Sequence, residues 1–181
     1  MKIVYIDRDG VINKFPGRYL YVTSLDGFEI LPGVAVAIRK LKEAGYKTVV
    51  VSNQQGVSKG VYSQNVLDEI TEKMKLELGK EGVLPDDIRY CVHLVEEDCD
   101  CRKPKTGNLS EIRGIDSEEL SEAYFVGDAK SDIRTAKNAG IKGILVLSGR
   151  TTAEEIDTWD DIKPDFVVND LLEAVEKVIL K

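Results

Sequence analysis

Acidic and hydroxyl residues follow three apolar segments of the chain and could bind a cation or an anion. These clusters are Asp7-Arg8-Asp9-Gly10 after Lys2–Ile6, Ser52-Asn53-Gln54 after Tyr46–Val51, and Gly127-Asp128 after Ala123–Val126. Any single member could instead cap a helix or form a turn, because Asp, Ser and Asn favour those positions. Asp7 differs because Asp9 stands two residues away, and like charges so close are costly unless a cation or a proton offsets them. Mg²⁺, which binds a few carboxylates together with phosphate oxygens and water, would offset them if Asp7 and Asp128 converged.

A second group of possible metal ligands is confined to one short segment. It contains every cysteine and the only histidine of the chain: Cys91, His93, Cys99 and Cys101. A buried apolar location, the alternative for cysteine, is unfavourable beside the acidic residues 96–98 and Asp100. A disulfide would leave one thiol over and requires an oxidising compartment. Three cysteines and one histidine form a complete tetrahedral ligand set for Zn²⁺. We therefore expect a structural zinc ion that fixes this acidic loop and the adjoining Arg102-Lys103.

The segments between these residues alternate between strand and helix patterns. Runs rich in β-branched residues predict strands at Lys2–Ile6, Tyr46–Val51, Ile88–Val92, Ala123–Val126, Ile144–Leu147 and Phe166–Val168. Helical spacing of apolar residues predicts helices at Gly33–Ala44, Ser63–Leu78, Thr106–Arg113, Ser131–Ala139 and Leu171–Leu180. The alternation predicts an α/β fold, a parallel sheet with helices on both faces, in one domain over residues 1–181. Because ligands bind beyond the carboxyl ends of such strands, the polar clusters should meet in one crevice.

Length and charge limit the kinds of partner. The 181 residues are enough for one buried α/β core, and 43% apolar with 31% charged residues is ordinary for a globular protein. A formal charge of −7 argues against binding nucleic acid or an anionic membrane, which requires a broad cationic surface. A small anion could still bind, because a few cationic groups suffice locally. No apolar run is long enough to span a bilayer, and residues 1–6 are too short for a signal peptide, so we expect a cytoplasmic monomer.

Four motifs in order resemble those of the haloacid dehalogenase (HAD) superfamily of phosphohydrolases. They are Asp7-Arg8-Asp9-Gly10-Val11, then Ser52, then Lys103 within Cys101-Arg102-Lys103-Pro104, and finally Gly127-Asp128 through Asp132. Each motif is weak alone, but the ordered set spans nearly the whole chain. The resemblance implies a Rossmann-like fold, and the short gaps after the first and second motifs leave no room for a large cap domain.

The resemblance also implies a mechanism and the residues that perform it. Asp7 would attack phosphorus and form an aspartyl-phosphate, while Asp9 would protonate the leaving oxygen and later deprotonate water. Ser52 and Lys103 would bind the transferring group together with Mg²⁺. The implied Mg²⁺ ligands are the Asp7 carboxylate, the Asp9 main-chain carbonyl and Asp128. Asp132 could orient Lys103 or a metal-bound water, or it could face solvent.

The cysteine-rich string, C-x-H…C-x-C-R-K-P, narrows the resemblance. It is similar to D-glycero-D-manno-heptose 1,7-bisphosphate 7-phosphatases and to the related histidinol-phosphate phosphatases, which share its short internal gap. Residues 26–34 and 52–60 favour the heptose enzymes. The sequence departs from the heptose enzymes at two places, and both bear on the identity of the substrate. Ala129 stands where many heptose relatives have a lysine that contacts substrate, and Lys130 follows it directly. Thr106-Gly107-Asn108 stands in place of the more usual Pro-Gly-Met. The implied partner is a small phosphorylated metabolite.

Loops would form the substrate pocket. The residues that the resemblance implies are Phe15, Pro16, Gly17, Arg18, Ser52, Asn53, Gln54, Gln55, Arg102 and Lys103. Arg102 suits a second phosphate or a pair of sugar hydroxyls, whereas Arg18 considered alone is typical of a solvated loop charge.

A receiver-type signalling module would also phosphorylate an aspartate at such a sheet edge, but the cysteine loop and Asp9 argue against it. A zinc-stabilised binding protein with a vestigial site is opposed by the presence of all four motifs.

Overall fold

Six parallel strands form one sheet in this computed structural model, which describes residues 1–115 and 118–181. The strands are β1 (Ile3–Ile6), β2 (Lys47–Asn53), β3 (Asp87–Cys91), β4 (Ala123–Gly127), β5 (Lys142–Val146) and β6 (Phe166–Val168), in the spatial order β3-β2-β1-β4-β5-β6. The chain order reverses between β1 and β4, so the loops after these two strands diverge and leave a crevice between them. The predicted Rossmann-like α/β sheet is confirmed.

The central strand is buried on both sides, as its uninterrupted apolar sequence requires. Ile3 and Tyr5 pack into one core, and Val4 and Ile6 pack into the other, all with no exposed surface. A parallel strand covered by helices on both faces has no solvated face on which to place polar residues. The first position at which a charge can stand is therefore the end of the strand, at Asp7.

Helices cover both faces of the sheet. They are α1 (Val34–Glu43), α2 (Gln64–Lys80), α3 (Lys130–Asn138), α4 (Ala153–Asp157) and α5 (Leu171–Ala174), the last continued by a wider π-helical turn at Val175–Ile179. Apolar residues of α1, α2 and α5 share the core that contains Val4, whereas Ala136 of α3 lies in the core that contains Ile3. This arrangement confirms the prediction of helices on both faces.

Two predicted helices differ from the structure, and one helix was not predicted. Only a 3₁₀ turn at Ser110–Ile112 forms where a helix was expected at Thr106–Arg113. Gly107 packs there against the cysteine loop, and its N–H donates to Asp100 O at 2.9 Å instead of entering a helix. The carboxyl-terminal helix exists, but its second half is the π-helical turn. The five residues of α4 are too few to show a helical period.

The crevice is covered by loops only. Residues 13–30 form an irregular loop tied to the sheet through isolated bridges of Asn13 with Asp9 and with Ile30. Within the described parts of the chain there is no separate cap domain, as the short gaps between the motifs indicated. No described helix combines the length and the apolar character needed to cross a membrane.

Candidate active site and metal centre

The ends of the two central strands bring Asp7 and Asp128 together, although 121 positions separate them in the chain. The Asp7 N–H donates to Val126 O at 2.9 Å, which continues the β1–β4 ladder past the end of β1. One carboxylate oxygen from each of Asp7, Asp128 and Asp132 lies within 4.8 Å of the others. All three residues are buried. The crevice expected from the strand pattern therefore exists, and it contains three carboxylates.

Lys103 extends into this crevice from the loop that follows the cysteines. Its Nζ lies 2.9 Å from Asp7 Oδ1 and 2.7 Å from Asp132 Oδ1, and it donates to Val51 O at 3.0 Å. Burial opposes the charged amine, but Asp132 and Asp7 together raise the pKa of Lys103. Asp132 does not face solvent: its side chain is fully buried, and its Oδ2 also accepts from the Ala129 N–H at 3.0 Å. Asp132 therefore positions Lys103.

Asn53 joins the end of β2 to the Lys103 loop. Its Nδ2 donates to Lys103 O, and its Oδ1 accepts from the Lys103 N–H, both at 3.1 Å. This reciprocal pair fixes the backbone of Lys103 relative to the sheet. Ser52, one residue earlier, is buried, and its hydroxyl accepts from Gln54 Nε2 at 3.2 Å.

Asp9 is held by several donors. Arg8 Nη2 lies 2.9 Å and 3.0 Å from the two oxygens of Asp9, Asn13 Nδ2 donates at 2.9 Å, and Gln54 Nε2 donates at 2.8 Å. Burial would raise the pKa of Asp9, but the Arg8 guanidinium and these hydrogen bonds hold it below its usual value. The Arg8 side chain is itself fully buried and spans Asp9 and Gln54. The orientation of Asp9 is therefore fixed before any ligand binds.

The carboxylates of the crevice have the character of a divalent-cation site. Burial raises the pKa of Asp7 to about 6, although Lys103 opposes the rise. Burial and the neighbouring Asp7 and Asp132 raise the pKa of Asp128 well above its usual value. A cation between these oxygens would offset the burial and the mutual repulsion of the carboxylates. Mg²⁺ binds a few carboxylates and completes its coordination shell with water and phosphate oxygens. The donor set therefore fits Mg²⁺.

Two glycines make room for the Asp128 carboxylate. A Cβ at Gly10 or at Gly149 would lie 2.1 Å from Asp128 Oδ2, closer than any side chain can approach. Gly10 also has a φ of +89°, which a residue with a Cβ adopts only with strain. The N–H of Arg150 then donates to the same Oδ2 at 2.7 Å. The backbone near residues 10 and 149–150 thus fixes the position of Asp128.

A cavity of about 580 Å³ opens above Asp7, and this volume is within the range of small-molecule sites. The predicted site residues that line it are Asp7, Asp9, Phe15, Pro16, Gly17, Ser52, Asn53, Gln55, Arg102, Lys103 and Asp128. Two predicted substrate-binding residues do not line it. Gln54 is buried beneath Asp9 and also accepts from Tyr62 Oη at 2.6 Å, and Arg18 lines an adjoining cavity, where it pairs with Glu155.

The four predicted zinc ligands form one cluster at the end of β3. The Cys91–Cys99 and Cys99–Cys101 Sγ distances are both 3.5 Å, and His93 Nδ1 lies 3.2 Å from Cys101 Sγ and 3.7 Å from Cys91 Sγ. These sulfurs are too far apart for a disulfide, whose S–S bond is about 2.05 Å. A tetrahedral ion with bonds of about 2.0–2.3 Å separates its ligand atoms by roughly 3.3–3.8 Å. The cluster therefore fits a closed, four-ligand zinc site.

Four residues at the crevice were not identified as functional from the sequence. They are Arg8, Asn13, Gly149 and Arg150. Arg8 carried a usable signal, because a charge between two carboxylates directly after a buried strand must find a partner inside the protein. Gly149 and Arg150 follow β5, so their approach to Asp128 depends on the twist and order of the strands rather than on any local pattern.

Comparisons with known proteins agree with the family resemblance. A family model described as HAD-hydrolase-like matches residues 100–174. The D-glycero-beta-D-manno-heptose-1,7-bisphosphate 7-phosphatase of Haemophilus ducreyi is 35% identical over 98% of both chains. The D-glycero-alpha-D-manno-heptose-1,7-bisphosphate 7-phosphatase of Photorhabdus laumondii is 31% identical over 96% of this chain and 97% of its own.

A solved structure extends the agreement to the fold. The crystal structure of D,D-heptose 1,7-bisphosphate phosphatase from B. bronchiseptica, complexed with magnesium and phosphate, superposes with a TM-score of 0.86 at 30% identity over 99% of both chains. Near-complete coverage and identity above 30% with the curated relatives show common descent of the whole length rather than a shared local motif. The chain therefore belongs to the HAD-like phosphatases, in the family of the heptose 1,7-bisphosphate 7-phosphatases, and is a phosphoric monoester hydrolase.

Proposed function

We propose that this protein is an Mg²⁺-dependent phosphatase that removes the 7-phosphate of D-glycero-D-manno-heptose 1,7-bisphosphate through a phosphorylated Asp7. The observation that carries the proposal is the buried junction of Asp7, Asp128 and Lys103 at the point where the strand order reverses. A carboxylate beside a second carboxylate and a buried ammonium suits attack on a phosphate group whose charge they help to bind.

In the first step, an Asp7 oxygen forms a bond to phosphorus while the bond from phosphorus to the sugar oxygen breaks. Asp9 delivers a proton to that oxygen, so the sugar leaves as an alcohol. Because the lowered pKa of Asp9 leaves it a carboxylate at rest, this proton comes from the bound phosphate monoester and passes through Asp9. The Lys103 ammonium and the Ser52 hydroxyl donate to the non-bridging phosphate oxygens. The bonds from Arg8, Asn13 and Gln54 keep Asp9 aimed at the cavity during the transfer.

In the second step, water attacks the phosphorus of phosphorylated Asp7. Asp9, now a carboxylate, takes a proton from that water, the bond from Asp7 to phosphorus breaks, and inorganic phosphate leaves with Asp7 restored as a carboxylate. The hydrogen bonds that lower the pKa of Asp9 favour its role as a base in this step.

The proposed Mg²⁺ and Zn²⁺ ions would be held by separate sets of residues. Asp7, the Asp9 main-chain carbonyl and Asp128 would hold Mg²⁺, which when bound neutralises charge on the phosphate and the carboxylates. Asp132 is outside this set, because its oxygens already bind Lys103 and the Ala129 N–H. Cys91, His93, Cys99 and Cys101 would hold a structural Zn²⁺, which leaves no open coordination position.

The relatives support the proposed substrate, since those compared above act on heptose 1,7-bisphosphates of either anomer. The cavity above Asp7 is lined by Arg102, Lys59 and Arg150 in addition to Lys103, which suits a ligand with more than one anionic group. We further propose that residues 1–181 form one domain built on one sheet, which acts as a monomer in the cytoplasm.

Phosphate release tests the proposal. The protein is assayed with Mg²⁺ on both anomers of heptose 1,7-bisphosphate, on histidinol phosphate and on other sugar phosphates. We expect kcat/KM on a heptose bisphosphate to exceed that on histidinol phosphate by at least about a hundredfold, and Asp7→Asn to lower turnover at least about a thousandfold. Asp100→Asn, an exposed change in the cysteine loop, is the matched control. A preference for histidinol phosphate would refute the substrate, and substantial activity in Asp7→Asn would refute the nucleophile.

A further inference from the structure

A second cavity, of about 260 Å³, adjoins the main one. Ala129, Ser131 and Arg150 line both cavities, so together they form the junction. The side chain of Ala129 is a single methyl group, which leaves this junction wide. The smaller cavity is completed by Arg18, Lys130, Thr151, Glu155 and Trp159. A ligand bound at Asp7 could therefore extend past Ala129 towards the smaller cavity.

Three cations surround the smaller cavity, but two of them are already paired. Arg18 binds the carboxylate of Glu155. Lys130 Nζ lies 2.5 Å from Asp161 Oδ1, and it also lies over the ring of Trp159. Lys130 is therefore held by protein groups and is poorly placed to make up for the missing lysine at position 129.

Arg150 differs from both of these cations. Its side chain is exposed and forms no ion pair or hydrogen bond with any residue in ranges 1–115 and 118–181. Its backbone, however, is fixed, because its N–H donates to Asp128 Oδ2 at 2.7 Å. The guanidinium therefore extends from a fixed backbone position beside the catalytic crevice, and none of its N–H donors is used by the described residues.

We propose that Arg150 binds the phosphate group that is not hydrolysed and thereby makes the enzyme selective for bisphosphorylated sugars. The inference rests on the proposed function. The reacting phosphate would use Asp7, Ser52 and Lys103, so a second phosphate on the same sugar needs another cation. Arg102 lines the main cavity as well, but one of its terminal nitrogens already donates to His93 O at 3.2 Å. Arg150 supplies a planar pair of N–H donors, which binds phosphate with two parallel hydrogen bonds. The Ser131 hydroxyl at the same junction adds one more donor.

Kinetics with two substrates test this role. Wild type and Arg150→Ala are assayed on heptose 1,7-bisphosphate and on heptose 7-phosphate. We expect Arg150→Ala to raise KM for the bisphosphate at least about tenfold, with kcat within about twofold and KM for the 7-phosphate unchanged. Arg150→Lys should recover part of the loss. Arg134→Ala removes a partly exposed arginine of α3 that lines neither cavity and controls for net charge.

A binding measurement separates recognition from chemistry. By calorimetry, the Asp7→Asn, Arg150→Ala double variant should bind the bisphosphate at least about tenfold more weakly than Asp7→Asn alone. Equal affinities, or equal KM values in Arg150→Ala and Arg134→Ala, would overturn the role of Arg150 and leave the phosphatase assignment intact. Absence of phosphate release from both substrates by the wild type would instead overturn the proposed function, and this inference with it.

Discussion

The carboxylates of the crevice and the ligands of the cysteine loop differ in what holds them in place. Asp7 and Asp128 come from distant parts of the chain, are 8% and 3% exposed, and follow the two central strands of the sheet. The four Cys and His ligands come from one segment, and three of them are partly exposed among exposed acidic residues. Strand pairing positions the carboxylates of the crevice, whereas the cysteine loop is held mainly by exposed hydrogen bonds such as those from Lys105 to Asp98, so a metal would contribute more to the order of the loop. One ion should therefore serve chemistry, and the other should serve stability.

Removing one ligand from each group should lower catalytic activity in one variant and thermal stability in the other. Asp128→Asn is expected to lower kcat/KM at least about a hundredfold, because the crevice loses an Mg²⁺ ligand. Its melting temperature should stay within about 3 °C of wild type or rise, because a buried like charge is removed. Phosphate release and differential scanning calorimetry measure the two effects.

Cys99→Ser should show the opposite pattern. We expect loss of bound zinc by elemental analysis and a melting temperature lower by about 5–10 °C, because the metal contributes to folding of the loop. Loss of activity should be smaller, about tenfold, since Asn53 still clamps the backbone of Lys103. A zinc-free wild type of full thermal stability, or a stable Cys99→Ser with no activity, would contradict the division of roles.

A smaller effect is expected from the glycine that lies against Asp128. In Gly149→Ala the new Cβ would stand 2.1 Å from Asp128 Oδ2, so the carboxylate must move. We expect the Mg²⁺ concentration for half-maximal activity to rise about 10–100-fold, as when a group that orients a metal ligand is lost. Gly79→Ala, within α2, is the control, because a Cβ at that position would meet no atom within 4 Å. Equal Mg²⁺ dependence of the two variants would show that Asp128 needs no such support.

The smallest effect concerns the strand that leads into the cysteine loop. Glu111 accepts from both terminal nitrogens of Arg89 on β3, at 2.6 and 2.7 Å, and from Lys47 at 2.9 Å. Burial would raise the pKa of Glu111, but these bonds hold it at about 2, below its ordinary 4.5. A carboxylate with a lowered pKa stabilises the fold above pH 4.5, and this contribution is lost as the pH falls from 4.5 towards 2.

Glu111→Gln should therefore lower the free energy of unfolding by about 1–2 kcal/mol at pH 7. The difference in unfolding free energy between wild type and variant should shrink between pH 4.5 and 3. Urea unfolding at several pH values measures it. Glu69→Gln, an exposed change on α2, should have little effect at any pH. A cost for Glu111→Gln that is independent of pH would show that its charge contributes nothing to stability.

The same contrast explains what could be predicted from the sequence. The cysteine loop is a local pattern, so the clustering of its three cysteines and one histidine could be predicted from spacing alone. The crevice could be predicted as far as each residue directly follows its own apolar strand, as Asp7 and Asp128 do. The burial of Gln54 beneath Asp9 and the approach of Gly149 to Asp128 depend on packing between segments far apart in the chain. For Asp132, the alternatives of solvent exposure and contact with Lys103 could be separated only by the orientation of α3 on the sheet.

The covalent step through Asp7 is the central claim, and trapping tests it most directly. The enzyme is mixed with heptose 1,7-bisphosphate and Mg²⁺, quenched in acid within one turnover, digested and analysed by mass spectrometry. We predict one phosphoryl group on the peptide that contains Asp7, removed by neutral hydroxylamine and absent from Asp7→Asn. Phosphorylation of a different residue during normal turnover would contradict the account.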